Sequence, residues 1–206
     1  MKIEKFVLGI YGTNCYIIRN EDTQECFIID PGEDSPEMVS HIRREGLQVR
    51  GILLTHGHFD HILGLDTLLQ EFPVPVYAYK DEKQLLNDAT LNMSVGVGRS
   101  YTFATVEEVV AGQVLSLVGL EIQVIHTPGH TLGSACYYVP KEEVLFSGDT
   151  LFRASVGRTD FPGGNSSQLV DSIEQKLFTL PDTTKVYPGH MDESTIAFEK
   201  IHNPFL

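Results

Sequence analysis

At 206 residues, 42% of them hydrophobic, the chain is long enough to bury one sizeable core, and a single domain over residues 1–206 is expected. Its 28 Asp and Glu against 15 Lys and Arg leave a formal charge of −13, which argues against a nucleic-acid or anionic-membrane partner. No apolar run approaches the roughly twenty residues of a membrane helix, and the opening MKIEKFVLGIYGTN places Glu4 and Lys5 before only a short apolar stretch, so neither an anchor nor a secretion signal is expected.

The first thirty residues read as strands, KIEKFVLG, NCYIIRN and ECFIID, the last two joined as a hairpin in an antiparallel opening. Ser35 can cap a helix with Pro36 at its first position, with Met38, Val39 and Ile42 on its apolar side and Gly46 as its stop. RGILL at 50–54 is a short strand, and THGHFDH leads from it into ILGLDTLLQEF, whose apolar positions 62, 63, 65, 68, 69 and 72 fit one helical face. A strand at Val76–Tyr79, a helix over 81–87 and an aperiodic stretch over 88–105, a candidate lid or wall, come next. Strands then return in QVLSLV, LEIQVIHT, SACYYVP and EVLFSGD. A loop over 150–164, a helix over 166–177 capped near Asn165, the strand KVYPGH and a short helical tail complete the chain. Strand blocks separated by helices predict an α/β sandwich of two packed sheets with helices outside.

Cys15, Cys26 and Cys136 sit in strand-like apolar stretches and form no C-x-x-C pair. They read as small buried hydrophobes, and their odd number suits a reducing compartment, with the cytoplasm the expected location. The chemistry lies elsewhere. Five of the eight histidines fall in three short segments that each follow an apolar strand: His56, His58 and His61 in THGHFDH, His130 in HTPGH, and His190 in VYPGH. His56 and His58, two residues apart, point to one side only if that piece is extended; in a helix they would diverge by about 200°. Asp60 and His61 then fall at a helix start, where a carboxylate is favourable and the turn can direct both side chains to the same centre. Asp149 closes EVLFSGD at another strand end, and strand-end loops are where a rigid sheet can aim ligands at one point. His41, His126 and His202 lack such company and read as structural or surface residues.

Imidazole and carboxylate donors suit zinc, with iron or manganese as alternatives, better than they suit a Cys-rich structural site. Seven donors (His56, His58, Asp60, His61, His130, Asp149 and His190) exceed the usual four for one tetrahedral ion. A centre of two divalent ions with one bridging carboxylate is therefore expected, and with open positions it reads as catalytic rather than structural.

THGHFDH with Gly129-His130, Gly148-Asp149 and Gly189-His190 in this order resembles the metallo-β-lactamase superfamily over nearly the whole chain. Within it, the Asp30-Pro31-Gly32 turn, GDTLFRASVGRTDFPGG and the closing YPGH followed by NPFL resemble the short glyoxalase II-like, hydroxyacylglutathione hydrolase-like enzymes. The resemblance implies a four-layer αβ/βα sandwich of two mixed β-sheets with helices on the outer faces and the metals at one edge. It implies that His56, His58 and His130 hold the first metal, that Asp60, His61 and His190 hold the second, and that Asp149 bridges them, with Asp60 and Asp149 serving catalysis. It also places Arg158 where relatives have a cation near the carboxylate of the thiol carrier; a loop-fixing pair with Asp160 is the alternative. Only sixteen residues follow His190, whereas the longer glyoxalase II enzymes carry a helical C-terminal domain that contacts glutathione.

The expected activity is hydrolysis of a small-molecule thioester, such as S-lactoylglutathione, to a 2-hydroxy acid and free thiol. A metal lowers the pKa of bound water to about 7, and a thiol of pKa about 8.5 can leave as thiolate without a strong general acid. The nearest alternative is a persulfide dioxygenase using one iron held by two His and one Asp. Lactone or β-lactam hydrolysis and RNA processing use the same metal core, and a non-catalytic metal-binding module is the alternative from another class.

Overall fold

The computed structural model describes residues 1–206. Strands β1 (Lys2–Leu8), β2 (Thr13–Arg19) and β3 (Glu25–Ile29) form the antiparallel opening that the sequence predicts. Alternation along β2 sends Cys15 and Ile17 to one face and Tyr16 and Ile18 to the other, and β3 repeats the division with Cys26 and Ile28 against Phe27 and Ile29. With apolar side chains on both faces, this sheet has to be covered on both.

Helix α1 (Pro36–Arg44) covers the outer face. Its predicted cap is present: the Ser35 hydroxyl accepts from the Met38 N–H at 3.2 Å, and Gly46 follows its end at φ +65°. Met38, Val39 and Ile42 join Cys15 and Ile17 in the outer apolar layer. Strand β4 (Gln48–Leu53) runs parallel to β3 and leads through the histidine motif into α2 (Phe59–Ile62).

The continuous helical face expected from Ile62 to Phe72 is broken: α3 (Leu65–Glu71) starts anew after Gly64. Here the Gly64 N–H donates to the Pro31 carbonyl at 2.8 Å, and a Cβ would stand 2.5 Å from the Glu33 carbonyl oxygen. The close approach of the Pro31–Glu33 backbone interrupts the helix, a tertiary event that hydrophobic period cannot report.

Strand β5 (Val76–Tyr79) pairs parallel with β4. The helix expected over 81–87 is shorter, a 3₁₀ turn at Lys80–Glu82 followed by α4 (Lys83–Leu86). Residues 88–105 are mostly irregular, as predicted, around one 3₁₀ turn at Ser94–Val97. Strand β6 (Glu107–Val109), too short to carry a legible pattern, closes the first sheet parallel to β5.

The second sheet begins as the predicted antiparallel meander of β7 (Val114–Leu117), β8 (Leu120–His126), β9 (Ala135–Val139) and β10 (Val144–Gly148). The loop expected over 150–164 contains a small hairpin, β11 (Leu151–Phe152) with β12 (Ser155–Val156). Helix α5 (Ser166–Ser172) is capped by Asn165 as predicted, and its continuation widens so that the Phe178 N–H reaches the Ile173 carbonyl at 2.9 Å. That helix carries the chain back to β13 (Lys185–Pro188), parallel to β10, before β14 (Ser194–Thr195) and α6 (Ile196–His202).

Both sheets are six-stranded and mixed, in the orders β1-β2-β3-β4-β5-β6 and β14-β13-β10-β9-β8-β7. Three apolar layers hold them. One joins α1–α3 to the first sheet; a second, with Tyr16, Phe27, Tyr137 and Phe146, fills the space between sheets; a third packs α5 and α6 on Cys136, Tyr138 and Leu145. The result is the predicted four-layer αβ/βα sandwich.

The three cysteines are buried in these layers, and burial pushes the thiols of Cys26 and Cys136 up to about 12 and 11, far from thiolate chemistry. No helix is long and apolar enough to cross a membrane.

Candidate metal centre

Two sheets packed face to face leave strand ends at a common edge, and that edge is tied across by hydrogen bonds. The Ala135 N–H donates to the Thr55 carbonyl at 2.9 Å, the Asn14 N–H to Gly189 at 2.7 Å, and the Tyr16 hydroxyl to Pro188 at 2.7 Å. The backbone leaving β4 stays extended through His58 (φ −64°, ψ 149°), as the His56/His58 spacing requires, and turns helical at Phe59, placing Asp60 and His61 in the first turn of α2. His130 follows β8, Asp149 follows β10 and His190 follows β13.

All seven predicted donors converge. His130 Nε2 lies 2.9 Å from His58 Nδ1 and 3.3 Å from His56 Nε2, which makes one group. His190 Nε2 lies 3.3 Å from both His61 Nε2 and Asp60 Oδ2, which makes a second. Asp149 stands between them, with Oδ1 3.5 Å from His61 Nε2 and Oδ2 3.6 Å from His130 Nε2 and 3.5 Å from His190 Nε2.

The rings are pinned from behind. His130 Nδ1 donates to the Arg158 carbonyl at 2.7 Å, and His61 Nδ1 donates to Asp30 at 2.9 Å. The Thr55 hydroxyl gives its proton to Asp30 at 2.5 Å, so its lone pair is left for His56 Nδ1 at 3.2 Å. With Nδ1 carrying the proton, the Nε2 lone pairs of His56 and His130 face each other at 3.3 Å, and His58 Nδ1, 2.9 Å from His130 Nε2, can bring only one proton to the group. A shared cation satisfies all three nitrogens at once.

Electrostatics divide the two groups. Burial holds the first group neutral, pushing His58 down to about 3 and His56 and His130 below their ordinary value. In the second, burial opposes charge on His61, but the carboxylates of Asp149, Asp60 and Asp30 outweigh it and push the imidazole up to about 10. Burial would likewise raise Asp60, yet His61 and the hydrogen bond from His190 hold it below the usual carboxylate range. The field that retains an extra proton on His61 is the field a divalent cation needs, so proton and metal compete there.

The centre opens into a cavity of about 340 Å³ whose walls include Tyr11, Phe59, Phe152, Phe161 and Met191. Met93 from the 88–105 stretch also lines it, so that segment serves as a wall. Arg158 reaches the rim while bonded to both carboxylate oxygens of Asp160 at 2.7 Å and lying 4.0 Å from the centre of the Phe161 ring, the loop-fixing pair foreseen as its alternative. His41, His126 and His202 lie apart, against Glu4, Tyr79 and Phe198 respectively.

Two residues of the site escape sequence reading as functional groups. Asp30, buried and at φ +50°, accepts from His61, the Thr55 hydroxyl and the Thr55 N–H. Its signal was an acid standing between an apolar strand and Pro-Gly. Gly189 is the other: a Cβ there would stand 2.3 Å from Asp149 Oδ1 and 2.9 Å from His61 Cε1. Gly189→Ala is expected to displace Asp149 and reduce metal-dependent activity about 10-fold or more, because near-ångström misplacements are costly at reacting centres. Paired kinetics and melting curves test this; unchanged turnover in a folded variant would remove the steric claim.

The profile of the metallo-beta-lactamase superfamily matches residues 8–190. A probable metallo-hydrolase of Bacillus subtilis (strain 168), YqgX, is 38% identical over 208 residues, covering 100% of this chain and 98% of its own length. The hydroxyacylglutathione hydrolase GloC of Haemophilus influenzae is 33% identical over 209 residues, covering 100% and 98%. Among solved structures, the BLEG-1 B3 metallo-beta-lactamase superposes with a TM-score of 0.94 at 42% identity, covering 100% of this chain and 99% of that one. A di-iron-bound form of TTHA1623 gives a TM-score of 0.88 at 33% identity, covering 98% and 100%.

Proposed function

We propose that this chain, which belongs to the metallo-beta-lactamase superfamily, acts as one domain over residues 1–206 to hydrolyse a small-molecule thioester, with S-2-hydroxyacylglutathiones such as S-lactoylglutathione as reference substrates. The observation that carries the reading is the convergence of seven donors, five of them lining one cavity, with Asp149 between two groups. His56, His58 and His130 would hold one divalent ion, and Asp60, His61 and His190 the other, with Asp149 facing both. Zinc suits this donor set, as do iron and manganese. Two such ions, when bound, supply an acidified water and a positive pole for charge developing on the carbonyl oxygen.

The protein's own groups do the rest. Asp60, held ionised below the usual carboxylate range, would serve the second ion as an anionic oxygen donor rather than as a base, and the proton lost by the attacking water passes to solvent. Thr13 donates to that carboxylate at 3.3 Å and orients it. The aromatic and methionine walls give the cavity an apolar lining against which an acyl group can pack. Water adds to the carbonyl carbon, the carbon–sulfur bond breaks, and the sulfur leaves as thiolate, which needs no strong acid at a pKa of about 8.5. Buried thiols and the acidic charge support a cytoplasmic enzyme without nucleic-acid or membrane partners.

Thiol release from millimolar S-lactoylglutathione, measured with zinc-, iron- and manganese-loaded protein, is expected to be metal-dependent and abolished by chelation. Absence of release in all three forms rejects the thioester. A second reading, β-lactam hydrolysis, is favoured by the 42% identity to BLEG-1, and a β-lactam run beside the thioester separates them.

A further inference from the structure

The loops that carry the first metal group meet at one buried acid. Glu82, at 1% exposure, lies in the turn between β5 and α4. Its Oε1 accepts from the Gly57 N–H at 2.8 Å. Its Oε2 accepts from the Thr131 hydroxyl at 3.0 Å and the Gly133 N–H at 2.8 Å. Gly57 lies between His56 and His58, while Thr131 and Gly133 follow His130. A single carboxylate therefore bonds both loops that supply His56, His58 and His130.

The loops are packed hard onto this element. A Cβ on Gly133 would stand 2.3 Å from the Glu82 nitrogen and 2.4 Å from Oε2, and one on Gly57 would stand 2.8 Å from the Leu86 side chain. No ion pair involves Glu82, and none of its hydrogen bonds runs to a metal-group side chain. Burial raises its carboxyl to about 7 in spite of the three donors. A buried acid answered only by neutral donors is a poor source of stability, but its two oxygens fix two separate loops at defined distances.

We propose that Glu82 is the positioning residue of the first metal group: it holds the Gly57 and Thr131–Gly133 loops in register so that three imidazoles meet at one point. Asp30 has the corresponding part behind His61 in the second group. The proposal rests on reading His56, His58 and His130 as a cation site.

Cobalt(II) titration of the full-length protein, followed by visible absorption and bound-metal stoichiometry, tests it. Wild-type protein is expected to take two ions. In Glu82→Gln the amide NH₂ must face one of the N–H or O–H donors, so one loop is released. This variant is expected to keep one ion at wild-type affinity, weaken the other about 10- to 100-fold, and alter the visible band of the three-imidazole site. A folded Glu82→Gln protein with two wild-type affinities and an unchanged spectrum overturns the role while leaving the metal reading intact. Wild-type protein that binds no cobalt overturns both. Should Glu82→Gln fail to fold, Thr131→Val removes one of the three bonds, and the same split of affinities is expected on a smaller scale; equal, unshifted affinities overturn the proposal.

Discussion

Asp149→Ala is expected to lower the proposed thioester hydrolysis by about 10³-fold or more in a chain that still folds, with bound metal falling from the proposed two ions to about one. Asp149 is the carboxylate within 3.6 Å of imidazoles from both groups, reaching His130 and His190 through Oδ2 and His61 through Oδ1. Its removal takes away the negative charge that two cations would share, leaving the first group with imidazoles only and the second with Asp60 as its one carboxylate. Folding should survive, since Asp149 Oδ1 has no hydrogen-bond partner within the protein, although the metal-free variant loses the ion pairs of Asp149 with His61 and His190. Metal analysis, initial rates and circular dichroism on one preparation decide the matter. Two retained ions with a rate above about a tenth of wild type would reject the shared role.

Asp30→Ala should have the largest combined effect on stability and metal retention. It strands three buried donors at once: the Thr55 N–H, the Thr55 hydroxyl and His61 Nδ1. At about 1–3 kcal/mol for each unsatisfied group, with incomplete additivity, a loss of roughly 3–5 kcal/mol is expected. His61 also loses the hydrogen bond that orients its ring, and partners of that kind are worth about 10- to 100-fold in metal affinity. Urea unfolding of metal-free protein separates the first effect from the second. Asp30→Asn provides the conservative contrast, and a variant of wild-type stability and metal content would refute the assignment.

Both substitutions also bear on pH. His61 is raised from its ordinary 6.5 to about 10 by Asp149, Asp60 and Asp30 against the opposing effect of burial. A raised folded-state value means that the unfolded chain releases this proton first. In metal-free protein the resulting stability is present in full below about pH 6.5 and is lost as pH rises through about 10. Asp149→Ala and Asp30→Ala each remove a carboxylate that sustains the shift, so each should flatten stability across that window.

The strand and cap signals were legible because they are local. Alternation in β2 and β3 assigns side chains to faces, and Ser35 and Asn165 cap helices through N–H groups three residues away. The convergence of the histidines could be anticipated because their segments each follow a strand, and the HxHxDH spacing works only where an extended piece turns helical. Gly64 shows the limit: its neighbours have helical period, yet the chain breaks there because the Pro31–Glu33 backbone arrives from another part of the fold.

The sequence by itself determined the chemistry available, neutral imidazoles and acids at strand ends, together with the two-sheet architecture that its alternating apolar faces demand. The division of those donors into two groups with Asp149 between them was implied by the family resemblance and not by spacing, and only the tertiary structure decided which acids stand behind them. Asp30 meets His61 across 31 residues, and Glu82 meets Gly57 and Gly133 across 25 and 51. Within YKDEKQ, Glu82 reads as one more solvated charge. Periodicity and capping record what a residue does to neighbours within a turn or two, whereas the partner of a buried carboxylate is chosen by which distant backbone the packed sheets bring to it.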